Sequence, residues 1–445
     1  MISRRVTTSV VILLLCLSAV LIFTPGEAEA DWTDGPLFDR GEHWVNITGI
    51  PASGKVQVNN RMIGGDLTVQ VTGIAAARNL EVEVLGNEVG GKLTVIVDSN
   101  PFLYDLRVGV GGNKVGKDIY ISSSSNAVSN LWFMVYDNQA CNEFEMKVFA
   151  NSIDYRLFAN IEKNRASTSM KIDISVNHKP SGWPMLFHTM HVYIENNHVV
   201  KEDLDIHIMR NIMATEGNPH MGIFINFNGA GRDVEILIMS NEADPMGTIE
   251  VVINDNASDD DMELTVHGNK AKVIKITVIR NYGCSYVYKN IQAGKPLPEI
   301  VNNNLIKCMQ TTGGDNDWDG LSDNYEIMIG TDPNDWDTDD DGLLDGWNDK
   351  NHNKKWDVGE RFGEIGDPQG KYFHGSIMHL VPSQHEPKVL CADIYVEVDV
   401  LRGQRFPAAS IQMVVKEFER HRIRLHIDNG WNMRTSGGGQ RLPID

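Results

Sequence analysis

Carboxylates recur at fixed intervals in one acidic stretch, residues 313–360. The first run places oxygen donors at positions 1, 3, 5, 9 and 12 of a twelve-residue loop, with Gly320 at position 6. Its donors are Asp315, Asp317, Asp319, Asp323 and Glu326, with the backbone carbonyl of Leu321 at position 7. Calcium takes six to eight oxygen ligands at about 2.3–2.6 Å, and the glycine lets the loop turn back on itself. The spacing therefore predicts a calcium loop.

Two further runs follow with the same spacing. The second predicted loop has the donors Asp337, Asp339, Asp341, Leu343 (backbone), Asp345 and Asn348. The third has Asp349, Asn351, Asn353, Asp357 and Glu360. We expect the second loop to bind less well because its last ligand is a neutral amide, and the third least well because Lys354 stands where glycine belongs. The ordered spacing favours calcium binding over a merely solvated acidic run.

The segment between the first two loops carries a resemblance to a known repeat. It reads Gly-Thr-Asp-Pro-Asn-Asp-Trp-Asp-Thr-Asp over 330–339, and Asp-Gly-Leu triplets flank it. Residues 313–349 resemble bacterial and archaeal thrombospondin type 3 calcium repeats. The resemblance implies that the aspartates at 315, 317, 319, 323, 337, 339, 341 and 345 are calcium ligands, and that the segment is an extracellular, metal-stiffened spacer.

Residues 31–308 contain an eight-residue unit that ends in asparagine and has apolar residues at positions 1, 3 and 5. Fifteen copies end at Asn87, Asn100, Asn113, Asn126, Asn138, Asn151, Asn164, Asn177, Asn197, Asn211, Asn228, Asn241, Asn256, Asn269 and Asn281. Alternation with period two indicates half-buried strands, and a fixed repeat indicates a stacked array. We therefore predict a mainly β fold, a parallel β-solenoid with an asparagine ladder and half-coils of about 13 residues. An antiparallel meander remains the lesser alternative.

Two units in each coil would place the irregular insertions on one edge of the solenoid. The extra residues enter at 178–189, 212–220 and 242–248, which are alternate connections. The early units, for example Asn87–Val95, resemble the repeats of secreted adhesin-like β-helix proteins. That resemblance implies a surface or adhesive role.

Outward positions of the predicted strands carry polar and aromatic residues. The polar set is Asp173, His191, Tyr193, Asp205 and His207, and Asp173 and His207 could face each other one coil apart. The aromatic set, Tyr120, Trp132, Phe158, Tyr193 and Phe224, could stack against sugars. A glycan-active β-helix enzyme is one interpretation. Solvated strand residues are the favoured one, because no second acid and no Arg or Lys base joins the set.

The N-terminus reads as an export signal. Arg4 and Arg5 precede an apolar run, and Ala28-Glu29-Ala30 has the form of a cleavage site. We predict a signal peptide at 1–30, with an uncleaved anchor as the alternative. Of the four remaining cysteines, Cys284 and Cys308 are the favoured disulfide pair, which leaves Cys141 and Cys391 as free thiols.

Residues 366–445 are predicted to form strand, helix and strand as a partial α/β module. Ile394, Val396, Val398 and Val400 would share one strand face, and a helix would open at Pro407. The stretch Asp-Ile-Tyr-Val-Glu-Val-Asp at 393–399, with Leu-His-Ile-Asp-Asn-Gly at 425–430, resembles the opening of secreted zinc-metallopeptidase-like proteins of archaea and bacteria. No His-Glu-x-x-His sequence occurs in the chain, so the resemblance implies a truncated or inactive copy.

The composition narrows the remaining possibilities. A net charge of −20 argues against binding to nucleic acid, and no apolar run long enough to span a membrane follows the signal region. The sequence therefore predicts a secreted calcium-binding protein of the cell surface or extracellular matrix, structural or adhesive rather than enzymatic. Its expected partners are calcium and either cell-surface glycans or other extracellular proteins.

Overall fold

The computed structural model describes most of the repeat region and parts of the segments that follow it. The described residues are 30–31, 38–39, 43–48, 54–74, 79–101, 103–178, 189–213, 219–243, 246–283, 286–292, 299–306, 314–340, 344–346, 390–397, 400–401, 408–428 and 441–442. The predicted signal segment lies outside them except for Ala30, which pairs with Val56.

The repeat region is a parallel β-solenoid with three faces. The long first face contains Ala30–Asp31, Gly54–Asn59, Asn79–Leu85, Leu103–Gly111, Ala127–Tyr136, Ser152–Glu162, Thr189–Glu195, His220–Asn226, Thr248–Asn254, Val273–Gly283 and Glu299–Ile306. The short face contains the two-residue strands Phe38–Asp39, Met62–Ile63, Glu88–Val89, Lys114–Val115, Gln139–Ala140, Arg165–Ala166, His198–Val199, Gly229–Ala230 and Ala257–Ser258. The second face contains His43–Thr48, Leu67–Thr72, Leu93–Asp98, Ile119–Ser124, Phe144–Phe149, Met170–Ser175, Leu204–Met209, Val234–Met239, Asp261–His267 and Tyr286–Gln292.

Each coil uses two of the sequence units. Leu80 pairs with Leu106 on the first face and Leu93 with Ile119 on the second, so equivalent residues are 26 apart. All strand pairs among the described residues are parallel, which excludes the antiparallel meander. The three insertions all enter between a second-face strand and the next first-face strand, as the alternate spacing predicted.

The alternating apolar residues point inward and form one continuous core. Leu80, Val82 and Val84 are at most 1% exposed, and their register partners on neighbouring coils are equally buried. Burying an aliphatic side chain of this size contributes about 1.5–3 kcal/mol. The intervening residues, such as Glu81 and Glu83, lie on the outer surface, where Lys55 pairs with both.

Fifteen buried asparagines form two ladders along two corners of the solenoid. In each rung the amide nitrogen donates to the side-chain oxygen of the next asparagine, at 2.8–3.0 Å. Asn151 also donates to the Ser123 carbonyl, and its oxygen accepts from both nitrogens of Asn126. The amide therefore satisfies its own hydrogen-bonding capacity and that of the buried turn. The predicted ladder is confirmed.

The residue before each ladder asparagine adopts the left-handed conformation, with φ between 52° and 68°. Only Gly86, Gly112 and Gly268 among these fifteen corner residues are glycines. Val176 adopts φ 57° although it is β-branched, which is an unfavourable choice for this region. The corner geometry is therefore imposed by the stacked coils and not by the identity of the corner residue.

The C-terminal segment forms the predicted strand–helix–strand unit. The helix Ala408–Glu419 connects the parallel strands Asp393–Glu397 and Arg424–Asp428, and Val400–Leu401 pairs with Arg441–Leu442. In the row proposed as the strand's apolar face, Ile394 and Val396 are not buried, since each is 37% exposed.

The acidic side chain on the other side of this strand is buried in their place. Asp393 is 4% exposed, forms an ion pair with Arg424 and is hydrogen-bonded to His426. A buried carboxylate is tolerated when it is paired in this way.

The disulfide prediction was wrong for the two cysteines that the structure describes. Cys141 is bonded to Cys391, with the Cα atoms 5.6 Å apart, so neither is a free thiol. The sequence separation of 250 residues concealed the pair. The short face of the solenoid holds Cys141 where Leu390 packs, and Gln139 donates to the Leu390 carbonyl at 3.0 Å. Cys284 and Cys308 lie outside the described residues.

We expect Asn151→Ala to lower the free energy of unfolding by about 2–4 kcal/mol, because it leaves the buried donors of Asn126 without an acceptor. Asn160→Ala, on an outward position of the same coil, should change it by less than about 0.5 kcal/mol. Guanidinium unfolding measures both, and equal losses would contradict the role given to the ladder.

We expect Val176→Gly to raise the free energy of unfolding by about 0.5–1 kcal/mol, because glycine adopts φ 57° without the steric penalty of valine. The reciprocal Gly112→Val should lower it by about 1–2 kcal/mol, since its added Cβ has room and only the backbone conformation opposes it. Thermal unfolding checks the pair. A stabilised Gly112→Val would show that the corners are not strained.

Candidate calcium centre

A short helix, Asp323–Ile329, follows the first predicted loop and fixes the position of its last ligand. Ser322 caps its N-terminus by accepting from the Tyr325 N–H, and Gly330 ends it with φ 91°. The glycine is required there because this left-handed position lies against His198 of the solenoid. Glu326 consequently points into the protein with 0% exposure.

Carboxylates of the first loop accept hydrogen bonds from the loop's own backbone. Asp315 accepts from the Trp318 N–H at 2.7 Å, and Asp323 accepts from the Asn316 N–H at 2.9 Å. Ligand oxygens of Asp315, Asp317 and Asp319 lie within 4.8 Å of one another. The turn residue Gly320 has φ 101°, as the sequence pattern requires at position 6.

A second cluster brings together carboxylates of two predicted loops. Asp319 and Glu326 of the first loop and Asp345 of the second have ligand oxygens within 4.8 Å of one another, and each residue is at most 1% exposed. Asp319 also accepts from the Gly346 N–H at 2.8 Å, and a Cβ at 346 would lie 2.9 Å from the Asp319 carbonyl. Asp345 thus belongs with the first loop's ligands in space, although the sequence assigned it to the second loop.

Three buried carboxylates in contact are unfavourable when all are ionised. Burial, and then the charges of Asp319 and Asp317, raise the pKa of Glu326 to about 8. Burial raises the pKa of Asp345 to about 7, against the hydrogen bonds from Thr338, and that of Asp319 to about 6. No cationic side chain pairs with any of the three within the described part of the chain. The cluster therefore needs protons or a cation.

The oxygen donors fit calcium. Two oxygens that bind one calcium ion lie at most about 5 Å apart, and the 4.8 Å spread of this cluster meets that limit. Glu326 Oε2 and Asp317 Oδ2 are buried and have no hydrogen-bond partner among the described residues. A bound cation would give these buried carboxylate oxygens the partner that buried polar atoms normally have. Asp319, Glu326 and Asp345 would hold it, and Asp315 and Asp317 form a second candidate group with Asp319.

Other predicted ligands are either set apart from the two clusters or lie outside the described residues. Asp337 is 6% exposed and Asp339 lies near it, and neither is part of a three-residue cluster among the described residues. Leu321 is buried, and its N–H donates to Asp319 at 2.7 Å. The ligands outside the described residues are Asp341, Leu343, Asn348, Asp349, Asn351, Asn353, Asp357 and Glu360.

The helix that follows the first predicted calcium loop packs directly against the short face of the solenoid. Tyr325, Met328 and Ile329 of the helix share a buried cluster with Val200 and Ala257. His198 Nδ1 lies 2.8 Å from the Met328 carbonyl, and the burial of His198 lowers its pKa to about 4, so the ring is neutral at physiological pH. The helix and the solenoid therefore form one packed unit.

Gly229 makes this close contact possible. A Cβ at 229 would lie 1.9 Å from the Met328 carbonyl oxygen, so any larger residue would push the helix away. Sequence reasoning missed Gly229, His198 and the cysteine pair as parts of the site. The sequence contains one sign of this contact, namely the small residues of the short strands against which the Asp323–Ile329 helix packs.

The C-terminal module contacts the same face. Lys117 pairs with Glu419 at 3.4 Å, and the half-buried Arg422 has Glu88 of the solenoid and Asp339 of the acidic segment as charged neighbours. A bare Cβ at Gly90 would lie 2.6 Å from the Arg420 Cα atom. Solenoid, acidic segment and C-terminal module therefore meet along the short strands.

The outward residues of the solenoid separate into two groups. Asp173 and His207 are register partners on neighbouring coils, as predicted. Trp132, Phe158, Tyr193 and Phe224 form a continuous row on the first face, with ring centroids 4.9–5.7 Å apart. Tyr193 and Phe224 stack at 10°, so their faces are turned toward each other and not toward a sugar.

Comparison of the chain with protein-family models, with curated proteins and with solved structures found no match. Among the described residues, the helices are too short or too polar to cross a membrane.

The raised pKa values predict how pH affects the calcium-free protein. Because they exceed the usual value near 4, the folded state binds more protons than the unfolded chain between about pH 4 and 8. In the presence of chelator, the free energy of unfolding should therefore fall as the pH rises through this window. Calcium should restore it at pH 8. Thermal unfolding with and without chelator at pH 5.5 and 8.0 measures the effect, and stability that rises with pH in chelator would contradict it.

Proposed function

We propose that this chain is an exported, calcium-binding structural protein of the cell surface or extracellular matrix. The single observation that supports it most is the buried trio of Asp319, Glu326 and Asp345, which has no cationic partner among the described residues. Folding would not bury three carboxylates together unless something compensated their charge. A hard divalent cation is the ligand that these oxygens suit best.

Calcium would act here as a structural clamp. By neutralising the trio, it would hold the Asp323–Ile329 helix and its hydrophobic residues against the short face of the solenoid. The same contact region receives the C-terminal module and the Cys141–Cys391 bond. Calcium would then make the contact between the solenoid, the acidic segment and the C-terminal module more rigid. The acidic segment would be held more firmly than a spacer that contacts neither of its neighbours.

Two features support an extracellular location for this role. The N-terminal pattern of Arg4, Arg5, an apolar run and Ala28-Glu29-Ala30 is that of a secretory signal. A disulfide persists in oxidising compartments, and Cys141–Cys391 is buried within the calcium-dependent contact. Calcium is also abundant enough outside cells for the weaker affinities of extracellular sites, about 10⁻⁴–10⁻³ M. Glycans or other extracellular proteins are the partners that such a surface protein would contact.

The proposal is tested by calcium titration calorimetry on the chain without its signal segment, after removal of bound calcium. We expect uptake at millimolar calcium or below, and loss of at least one site in Glu326→Gln. In chelator at pH 8, Glu326→Gln should instead raise the free energy of unfolding by at least about 1 kcal/mol, because it removes a buried charge.

Asp340→Asn is the matched control. It removes an acidic residue from the same segment, but Asp340 is exposed, lies between two predicted ligand positions and has φ 61°, which asparagine tolerates. Its calcium uptake should equal that of the unmodified chain. Absence of uptake at millimolar calcium, or equal losses in Asp340→Asn and Glu326→Gln, would overturn the proposal.

A further inference from the structure

Three side chains that can bind a metal converge on the second face of the solenoid, far along the sequence from the acidic segment. Asp205 and His207 are two residues apart on the strand Leu204–Met209 and therefore project on the same side. Glu235, on the next coil, is the register partner of Asp205. One ligand atom from each of the three lies within 4.8 Å of the other two.

The spacing of these atoms suits a small transition-metal ion. His207 Nε2 and Glu235 Oε2 lie 3.3 Å apart. Two ligands of a tetrahedral zinc ion, each at about 2.0–2.1 Å, are separated by about 3.3–3.4 Å. We propose that Asp205, His207 and Glu235 form a binding site for one zinc-class divalent ion on the outer surface of the solenoid.

The residues around the trio add donor capacity without filling the site. Asp173 is the register partner of His207 on the preceding coil, and its Oδ1 atom is buried with no hydrogen-bond partner among the described residues. As the register partner of His207, Asp173 is the neighbouring residue that could offer a fourth oxygen beside the imidazole. Three protein ligands with a fourth position open to water or to Asp173 is a common zinc arrangement.

The charges facing the trio do not already compensate it. Lys171 is the register partner of Asp205, but no ion pair joins them within 4.0 Å, and Glu263 is the register partner of Glu235. The acids at this point on the face therefore exceed the nearby bases.

The proposed zinc site differs from the candidate calcium centre in its ligand atoms and in its position on the solenoid. The nitrogen of His207 favours zinc, copper or nickel over calcium, which selects oxygen donors. All three ligands lie on strands whose backbones are fixed by the core, so their Cα positions are set before an ion binds. The calcium loop docks on the short face, and the proposed zinc site lies on the second face.

Zinc titration calorimetry on the full chain, in excess calcium to keep the acidic segment occupied, tests the proposal. We expect one zinc ion per chain with a dissociation constant in the micromolar range or tighter. His207→Gln and Glu235→Gln should each weaken binding at least about tenfold, because each removes a direct ligand. Cobalt substituted for zinc should give the visible absorption of a tetrahedral site, and His207→Gln should abolish it.

His267→Gln is the matched control, since His267 is an exposed outward residue of the same sheet but is not part of the trio. It should retain the zinc affinity of the unmodified chain. Unchanged thermal unfolding in calcium would show that the variants are folded. Failure of the unmodified chain to bind zinc below 0.1 mM (about 100-fold weaker than 1 μM), or any other pattern among the three variants, overturns the proposal. Calcium binding is measured separately and decides neither outcome.

Discussion

The solenoid depends on the need to satisfy buried polar groups at its corners. Each coil turns inward at two places, and the backbone groups of those turns are shielded from water. The asparagine ladders meet this need with one residue type, since each amide donates to the coil before it and to the coil after it. The hydrogen bonds of the asparagine ladders hold the corners in one conformation. Twelve of the fifteen corner residues are therefore kept in the left-handed conformation although they are not glycine.

The candidate calcium centre packs on the regular surface of the solenoid. The short face consists of two-residue strands, and small residues such as Gly229 and Ala230 allow a helix to approach its backbone. Hydrophobic contact from Tyr325 and Met328 provides attraction, while the carboxylates that the same fold brings together oppose it. A bound cation would neutralise the carboxylates and attract them, so the stability of this interface would increase with the calcium concentration.

The sequence predicted the solenoid because its signals are local and repeated. Apolar alternation, the terminal asparagine and the alternate insertions each follow from one coil stacking on the next. It could not predict contacts that depend on where distant segments meet. Asp345 joins Asp319 and Glu326 through folding of two loops onto each other, and Cys141 meets Cys391 across 250 residues. The exposure of Ile394 and Val396 escaped prediction for the same reason, because alternation reveals two strand faces but not which is covered.

The alternation of two different corners within each coil limits how such a protein can change its length in evolution. If a single thirteen-residue unit were lost or duplicated, every later first-face strand would stack on the second face, and every later second-face strand on the first. Corners without a short strand would then stack on corners that have one. Whole coils of about 26 residues, by contrast, preserve both amide columns. The repeat region can therefore lengthen or shorten by gene segments that encode even numbers of units. Extra loops can arise at the corner that already carries three insertions without disturbing the strand register.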